Sequence, residues 1–317
     1  MVTTTDMTLS IVIVMSNTRE LLRNCLKSIY ENTTGIEYEV IVVDNNSTDG
    51  SAEMVEEQFP AVKLIRNSEN LGFSKGNNQG FAASAGRYML ALNSDTMVLN
   101  HAISAMVHFM DERSDAGACG CKLLNEDGSL QPSWENFPTI LSEIFYGTPL
   151  SRIFPHRKRR PFSQGVYEVD WVSGACLMVR RETIEQVGGF DERFTPAYSE
   201  ETDWCYRIKQ DGWKVYYLAQ PEVVHISGQT TKQKPTRFAV QLQRSKYLFF
   251  RKHRRLPYAW LYRVLKGTAC LAKLTARCLS FIFVKRARHK TIQVINEQWQ
   301  VFLFLLRPGA PIPQQEE

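Results

Sequence analysis

Short runs of β-branched and other apolar residues alternate with stretches of helical spacing through the first 125 residues, the pattern of a parallel sheet with crossover helices. The runs Leu9–Met15, Glu39–Asp44, Val62–Asn67 and Arg87–Asn93 predict four strands. Between them, Leu22, Leu26 and Ile29 recur at helical spacing and predict a helix over Arg19–Tyr30. Further helices are expected over Ser51–Phe59, after a glycine, and over Asn100–Asp111, with an asparagine as cap.

From Asn125 to Asp170 the periodicity weakens. Pro132, Pro138, Pro149, Pro155 and Pro161 punctuate this stretch, which predicts a long insertion or mobile loop. Regularity returns with a strand over Trp171–Arg180 interrupted by Gly174, helices over Arg181–Val187 and Glu200–Gln210, and strands over Lys214–Tyr217 and Val223–His225. These elements form one expected domain, residues 1–230, and a basic helical region, 231–317, follows it.

Charge separates the two regions. Residues 231–290 hold 17 Lys or Arg and no Asp or Glu, while the other 257 residues carry 21 basic and 33 acidic side chains, a net of −12. Such asymmetry is a statement about partners. Arg263, Lys266, Lys273 and Arg277 fall within an arc of about 80° on a helical wheel, with apolar residues away from its centre. This predicts a helix lying in the headgroup region of an anionic membrane, against the plainer reading of a helix packed on the preceding domain with its charges in water. Nucleic acid is disfavoured, because no reading helix or aromatic platform accompanies the charge. Seven cysteines without a CxxC pair argue for a reducing compartment, and MVTTTDMTLS has no basic leader pattern, so a cytoplasmic protein is expected. The composition, 44% hydrophobic over 317 residues, excludes a disordered or collagenous chain.

The candidate chemistry sits at strand ends. Asp44 closes the apolar run Val40–Val43 and opens D-N-N-S-T-D-G, so a carboxylate stands at the carboxyl edge of a parallel sheet, where such folds bind ligands. A dinucleotide cofactor is disfavoured, since the turn after the first strand, Ser16-Asn17-Thr18-Arg19-Glu20, has no glycine. The stretch Asn70-Leu71-Gly72-Phe73-Ser74-Lys75-Gly76-Asn77-Asn78-Gln79-Gly80 has the glycines and amides that let backbone approach a phosphate or sugar, although glycines also serve close packing. Asn93-Ser94-Asp95-Thr96 follows the next strand and places Asp95 at the same edge. Magnesium or manganese on a diphosphate needs only one or two protein carboxylates.

Together, VIVVDNNSTDG, NLGFSKGNNQG, LNSDT, Ser173-Gly174-Ala175-Cys176, VGGFDERF, EETDWCYR and Val224-His225 resemble the signature of the inverting family 2 glycosyltransferases, above all the rhamnosyltransferase-like branch. The resemblance covers about residues 9 to 250. It implies a GT-A α/β fold, a mainly parallel central sheet flanked by helices, with a basic helical C-terminal extension. It implies that Asp44 contacts the nucleoside of a nucleotide-diphosphate sugar, dTDP-rhamnose being favoured. Asp95 would hold Mg2+ or Mn2+ as the last acid of a DxD-type motif whose first position is Asn93, and His225 would be the further metal ligand. Asn46, Asn70, Gly72, Gly76, Asn77, Gly174 and Asp191 are expected to shape the donor pocket. Glu201 would be the general base, with Glu200 and Asp203 in reserve. A lipid-linked glycan is the expected acceptor, which would put the enzyme on the inner face of the cytoplasmic membrane. The rival readings are a sugar-nucleotide-binding protein without transferase activity and a family 2 transferase of another sugar, galactofuranose, glucose or N-acetylhexosamine.

Overall fold

The computed structural model describes residues 7–145, 164–195, 199–226, 235–283 and 288–307. The chain begins β1 (Leu9–Met15), α1 (Arg19–Asn32), β2 (Tyr38–Asp44), α2 (Ser51–Gln58), β3 (Lys63–Arg66), α3 (Gly72–Ala82), β4 (Tyr88–Leu92), β5 (Thr96–Val98), α4 (Ala102–Glu112) and β6 (Ala116–Leu124). It continues β7 (Leu130–Gln131), β8 (Trp134–Glu135), α5 (Ile140–Phe145), β9 (Val166–Glu168), β10 (Trp171–Val172) and β11 (Cys176–Arg180). Then come α6 (Arg181–Val187), α7 (Glu200–Gln210), β12 (Lys214–His225), α8 (Pro235–His253), α9 (Leu256–Phe283) and α10 (Arg288–Leu306). Two compact units result. One comprises Met1–Phe137, Lys158–Pro196 and Glu200–Ser227; the other comprises Pro138–Arg157, Ala197–Ser199 and Gly228–Glu317.

The first unit is built on a sheet of order β3-β2-β1-β4-β11-β6-β12-β5. Its first four strands are parallel, with Met15 beside Asp44 in the β1–β2 register, so β1, β2 and β4 all end on one edge. β11 is antiparallel to both β4 and β6, and β5 is antiparallel to β12. Both faces are covered, which is why the strands read as continuous apolar runs. Leu9, Ile11, Ile13 and Met15 enter one buried cluster with residues of α1, α2 and α4. Val12 enters the opposite cluster with Phe81 of α3 and Trp204 and Ile208 of α7.

Glycine brings α3 onto β1. A Cβ on Gly76 would stand 2.9 Å from Val14 Cγ1, and one on Gly80 would stand 2.2 Å from Val12 Cγ1. Gly76, expected to admit a ligand, therefore admits a strand.

Several elements differ from the sequence reading. β12 is one strand with a register shift on β6 between Leu218 and Glu222, where Pro221 has no N–H to donate. The Trp171–Arg180 run divides, β10 pairing with β8 in a separate two-stranded sheet while β11 enters the main one. α4 starts at Ala102 without a side-chain cap, because Asn100 and His101 both adopt left-handed backbone. The stretch read as an insertion carries β7, β8, α5 and β9; its part from 146 to 163 lies outside the described residues.

In the helical unit, α9 is turned opposite to expectation. Arg263 donates to the carbonyls of Leu305 (2.9 and 2.6 Å) and Leu306 (3.0 Å), satisfying the C-terminal end of α10. Lys266 donates to the Glu143 carbonyl at 2.8 Å, and burial pushes its ammonium pKa down. Lys266 and Lys273 also line a cavity of ≈ 190 Å³ with Gln243, Cys270 and Val301. The basic arc therefore faces into the unit.

Gly80→Ala tests the packing of α3. Despite the better helix propensity of alanine, overpacking against Val12 is expected to lower unfolding stability by about 1–3 kcal/mol in urea titration, and Val12→Ala on the same chain should recover most of the loss.

Candidate active site

The carboxyl ends of β1, β2 and β4 form a polar rim that their loops stitch together. Asp44, buried at the end of β2, accepts from the Ser47 backbone N–H at 2.9 Å, and exposed Asn46 takes a left-handed φ of 59° to make that turn. Asn45 is buried. It donates from Nδ2 to the Gly72 carbonyl (3.2 Å) and accepts from Asn67 Nδ2 (3.0 Å), joining β2 to the start of α3. Exposed Asn70 bonds Ser16 Oγ (3.3 Å) and accepts from the Gly72 N–H (3.0 Å), where Gly72 itself needs φ 80°. Asn77, in contrast, is 1% exposed and donates back to the Phe73 carbonyl at 3.0 Å within α3. The structure therefore brings Asp44, Asn46, Asn70 and Gly72 to the rim and turns Asn77, like Gly76, into the packing.

The β5–β12 ladder brings a second group together across the chain. His225 pairs with Thr96, and the Ile226 N–H donates to the Asp95 carbonyl at 2.9 Å. His225 Nε2 then lies 3.3 Å from Asp95 Oδ1 and 3.2 Å from Asn93 Nδ2, while its Nδ1 lies 2.7 Å from Gln131 Oε1. A chain of hydrogen bonds fixes which nitrogen carries the proton. The Asp127 carboxylate can only accept, and it receives Ser129 Oγ–H; Ser129 Oγ receives Asn125 Nδ2–H (2.9 Å). Asn125 Oδ1 receives Gln131 Nε2–H (2.9 Å), which leaves Gln131 Oε1 as the acceptor for His225. His225 is thereby held with a proton on Nδ1, and in the neutral imidazole the Nε2 lone pair faces Asp95 and Asn93. That is the tautomer a metal-ligating imidazole needs.

Among the described residues no three His, Cys, Asp or Glu side chains cluster closely enough to form an all-protein cage. The donor set, one carboxylate and one imidazole, fits a divalent ion completed by phosphate oxygens and water.

The third part is the start of α7. The Asn93 N–H donates to the Ala175 carbonyl at 3.0 Å, tying the end of β4 to the Ser173-Gly174-Ala175 turn. A Cβ on Gly174 would meet Glu201 Cβ at 3.6 Å, so the Glu201 stem lies against this turn. Burial pushes the Glu201 carboxyl up to about 7, opposed by a backbone N–H and reinforced by the charge of Glu135. Its two neighbours differ. Asp203 is fully buried and accepts from Arg207 Nε at 2.9 Å, while Arg207 donates 2.6 Å bonds to the carbonyls of Val187 and Gly189. No acceptor hydroxyl reaches a carboxylate so enclosed, which removes Asp203 as a reserve base. Glu200 is buried as well. Asp191 caps the short 3-10 turn Glu192–Phe194, accepting from the Arg193 N–H (3.1 Å) and Nε (2.9 Å).

Three residues of this site were not legible beforehand: Asn45, Gln131 and Glu135. Asn45 stood in a motif whose turn-forming asparagines are interchangeable on paper. Gln131 and Glu135 belong to the proline-punctuated stretch, where periodicity carries no signal.

A family model described as glycosyl transferase family 2 matches residues 10–188. An N-acetylglucosaminyl-diphospho-decaprenol L-rhamnosyltransferase of Mycobacterium tuberculosis is 28% identical over 281 residues, 81% of this chain and 88% of that protein. Among solved structures, the mannosyltransferase PcManGT of Pyrobaculum calidifontis, in complex with GDP-Man and Mn2+, superimposes with a TM-score of 0.61 at 16% identity, covering 95% of this chain and 88% of that one. GalNAc-T7 with UDP, GalNAc and Mn2+ gives 0.56 at 20% identity, over 80% and 52%.

The proton position on His225 is directly measurable. A long-range 1H–15N spectrum of the metal-free protein above pH 8 should show the Nδ1–H tautomer, and Gln131→Leu should convert it to a tautomer mixture; an Nε2–H signal in the wild type would contradict the hydrogen-bond chain.

Proposed function

The chain belongs to glycosyl transferase family 2, with the GT-A fold of its structural neighbours, and from that premise we propose that it moves a hexose from a nucleotide-diphosphate sugar to an acceptor hydroxyl with inversion. Rhamnose from dTDP-rhamnose is the proposed donor group, on the strength of the mycobacterial relative and of the motifs. A lipid-linked glycan is the proposed acceptor, since N-acetylglucosaminyl-diphospho-decaprenol is the substrate that relative is named for. The working place is then the cytoplasmic face of a membrane.

The observation that carries the catalytic reading is Glu201. Transfer requires the acceptor hydroxyl to lose a proton as it attacks the anomeric carbon, and a carboxyl with its pKa near 7 is matched to that task at neutral pH. Glu201 lies against Gly174, where the missing side chain lets the Glu201 stem and the Phe73 ring approach the turn closely. Asp44, Asn46 and Asn70 offer acceptors and amides to the nucleoside, and Asn45 holds their loops in place. Asp95 and His225 would hold Mg2+ or Mn2+, the imidazole favouring manganese. When bound, such an ion supplies positive charge to the departing diphosphate. Asp203 and Asp191 act through others, the first by fixing Arg207 on the Gly188-Gly189 turn and the second by capping the segment that follows it.

In a thermal-shift series with dTDP, the midpoint should rise with Mn2+ and not with chelator, and Asp95→Ala should abolish the manganese-dependent part. Glu201→Gln should leave that shift intact and lower turnover by about 10²–10⁴-fold. Wild-type turnover should rise with pH through about 7, because the base acts only when ionised. Stability should move the other way. Between the ordinary 4.5 and about 7 the folded state holds a proton on Glu201 that the unfolded chain releases, so the stabilisation present at low pH is lost as pH rises through that window. The pH dependence of unfolding across it should flatten in Glu201→Gln.

A further inference from the structure

The outer face of α9 poses a problem that the rest of the fold does not. Leu256, Trp260, Leu261, Val264 and Leu271 are each between 45% and 55% exposed. The other exposed positions of the helix up to Ala276 are Pro257, Thr268, Ala272, Thr275 and Ala276 itself, none of them charged, and the partly buried Arg263 lays its guanidinium over the Trp260 ring at 5.2 Å from the centroid. From Leu256 to Leu271 it is about 22 Å long at the helical rise. The cause is the inversion described above: Arg263, Lys266 and Lys273 are spent on Leu305, Leu306, Glu143 and the internal cavity, which leaves only the apolar side for solvent. α10 adds a second exposed stripe, Trp299, Leu303 and Leu306, at spacings of one helical turn. Contiguous apolar surface of this kind marks a contact site.

We propose that the uncharged face of α9 is a membrane-contact surface, lying in the interface of an anionic bilayer with its apolar side chains among the upper acyl carbons. Charge selects this occupant. The face is bracketed in sequence by Arg251, Lys252, Arg254 and Arg255 before it and by Lys285, Arg286, Arg288 and Lys290 after it, with no acid from 231 to 290. Arg251, Arg254 and Arg255 are exposed. Basic groups beside an apolar face meet anionic headgroups while the face enters the lipid. A second copy of the chain would bring together two such segments with no acid of their own, at a cost in repulsion. Nucleic acid, bound through its phosphates, would gain nothing from the apolar side chains exposed between these cations. No described helix is long and apolar enough to cross a membrane, so α9 lies in the plane of the surface. The assignment rests on the lipid-linked acceptor of the proposed function, and it reverses which side of the helix meets the lipid: the apolar face does so, and the basic arc does not.

Co-sedimentation of the full chain with vesicles of equimolar phosphatidylcholine and phosphatidylglycerol tests it. The wild type should bind, and Leu261→Asp/Val264→Asp, at two exposed positions, should bind about tenfold more weakly or worse with an unchanged thermal midpoint. Bromine-labelled acyl chains should quench tryptophan emission in the wild type and quench it less in Trp260→Phe. The proposal is overturned if the double variant binds as the wild type does, if Trp260 contributes nothing to quenching, or if the wild type is a dimer that the double variant splits. A dTDP and Mn2+ thermal shift on the same samples separates the two readings. Its absence in the wild type overturns the transferase reading, whereas its presence beside unaltered vesicle binding by the variant overturns the surface alone.

Discussion

The three-residue ladder between β5 and β12 is the constraint on which the site depends. It joins positions about 130 residues apart in the chain, and it completes the sheet on the side away from β3. Because Thr96 is registered on His225, the residue before one strand and the last residue of the other meet, and Asp95 has an imidazole beside it. β12 reaches that point only by running parallel to β6 and shifting register past Pro221. A one-residue slip would send His225 to the opposite face of the sheet. The hydrogen-bond chain through Gln131 then sets the imidazole's proton, so the same ladder that orders the backbone also orders the chemistry.

Neighbouring carboxylates on α7 show how packing alone assigns roles. Asp203 is enclosed with an arginine and acts as an anchor for the turn at Gly189, whereas Glu201, two residues earlier, is partly buried beside Glu135 with its carboxyl raised to about 7. One is a structural anion and the other is poised to change charge. The helix dipole favours both equally, so the difference comes from what each side chain faces.

The parallel half of the sheet was plain in the sequence because β1, β2 and β4 are buried on both faces and must be apolar throughout. The centre of the sheet was not. β6 reads AGACGCKLL, with no β-branched residue, because it is crowded: a Cβ on Gly117 would lie 2.6 Å from Trp213 Cβ, and one on Gly120 would lie 2.7 Å from Val172 Cβ. Small residues were chosen there by neighbours that only the fold reveals. The same holds for Gly76 and Gly80, whose motif suggested a ligand and whose partners are Val14 and Val12. The motifs placed Asp44, Asp95, His225 and Glu201 in one site by resemblance, and the fold brings Asp95 to His225 and Glu201 to Gly174. Gln131 and Glu135 lay in a stretch with no period to read, and the direction of the basic arc on α9 depended on acceptors supplied by α5 and α10.

The central claim is that Asp95 and the Nε2 lone pair of His225 share one divalent ion at the carboxyl edge of the sheet. Crystals grown with a nucleoside diphosphate and Mn2+, measured at the manganese absorption edge, test it most directly. The account predicts one anomalous peak in coordinating contact with both Asp95 and His225. A peak elsewhere, or nucleotide bound in the rim with no peak between those two side chains, would contradict it.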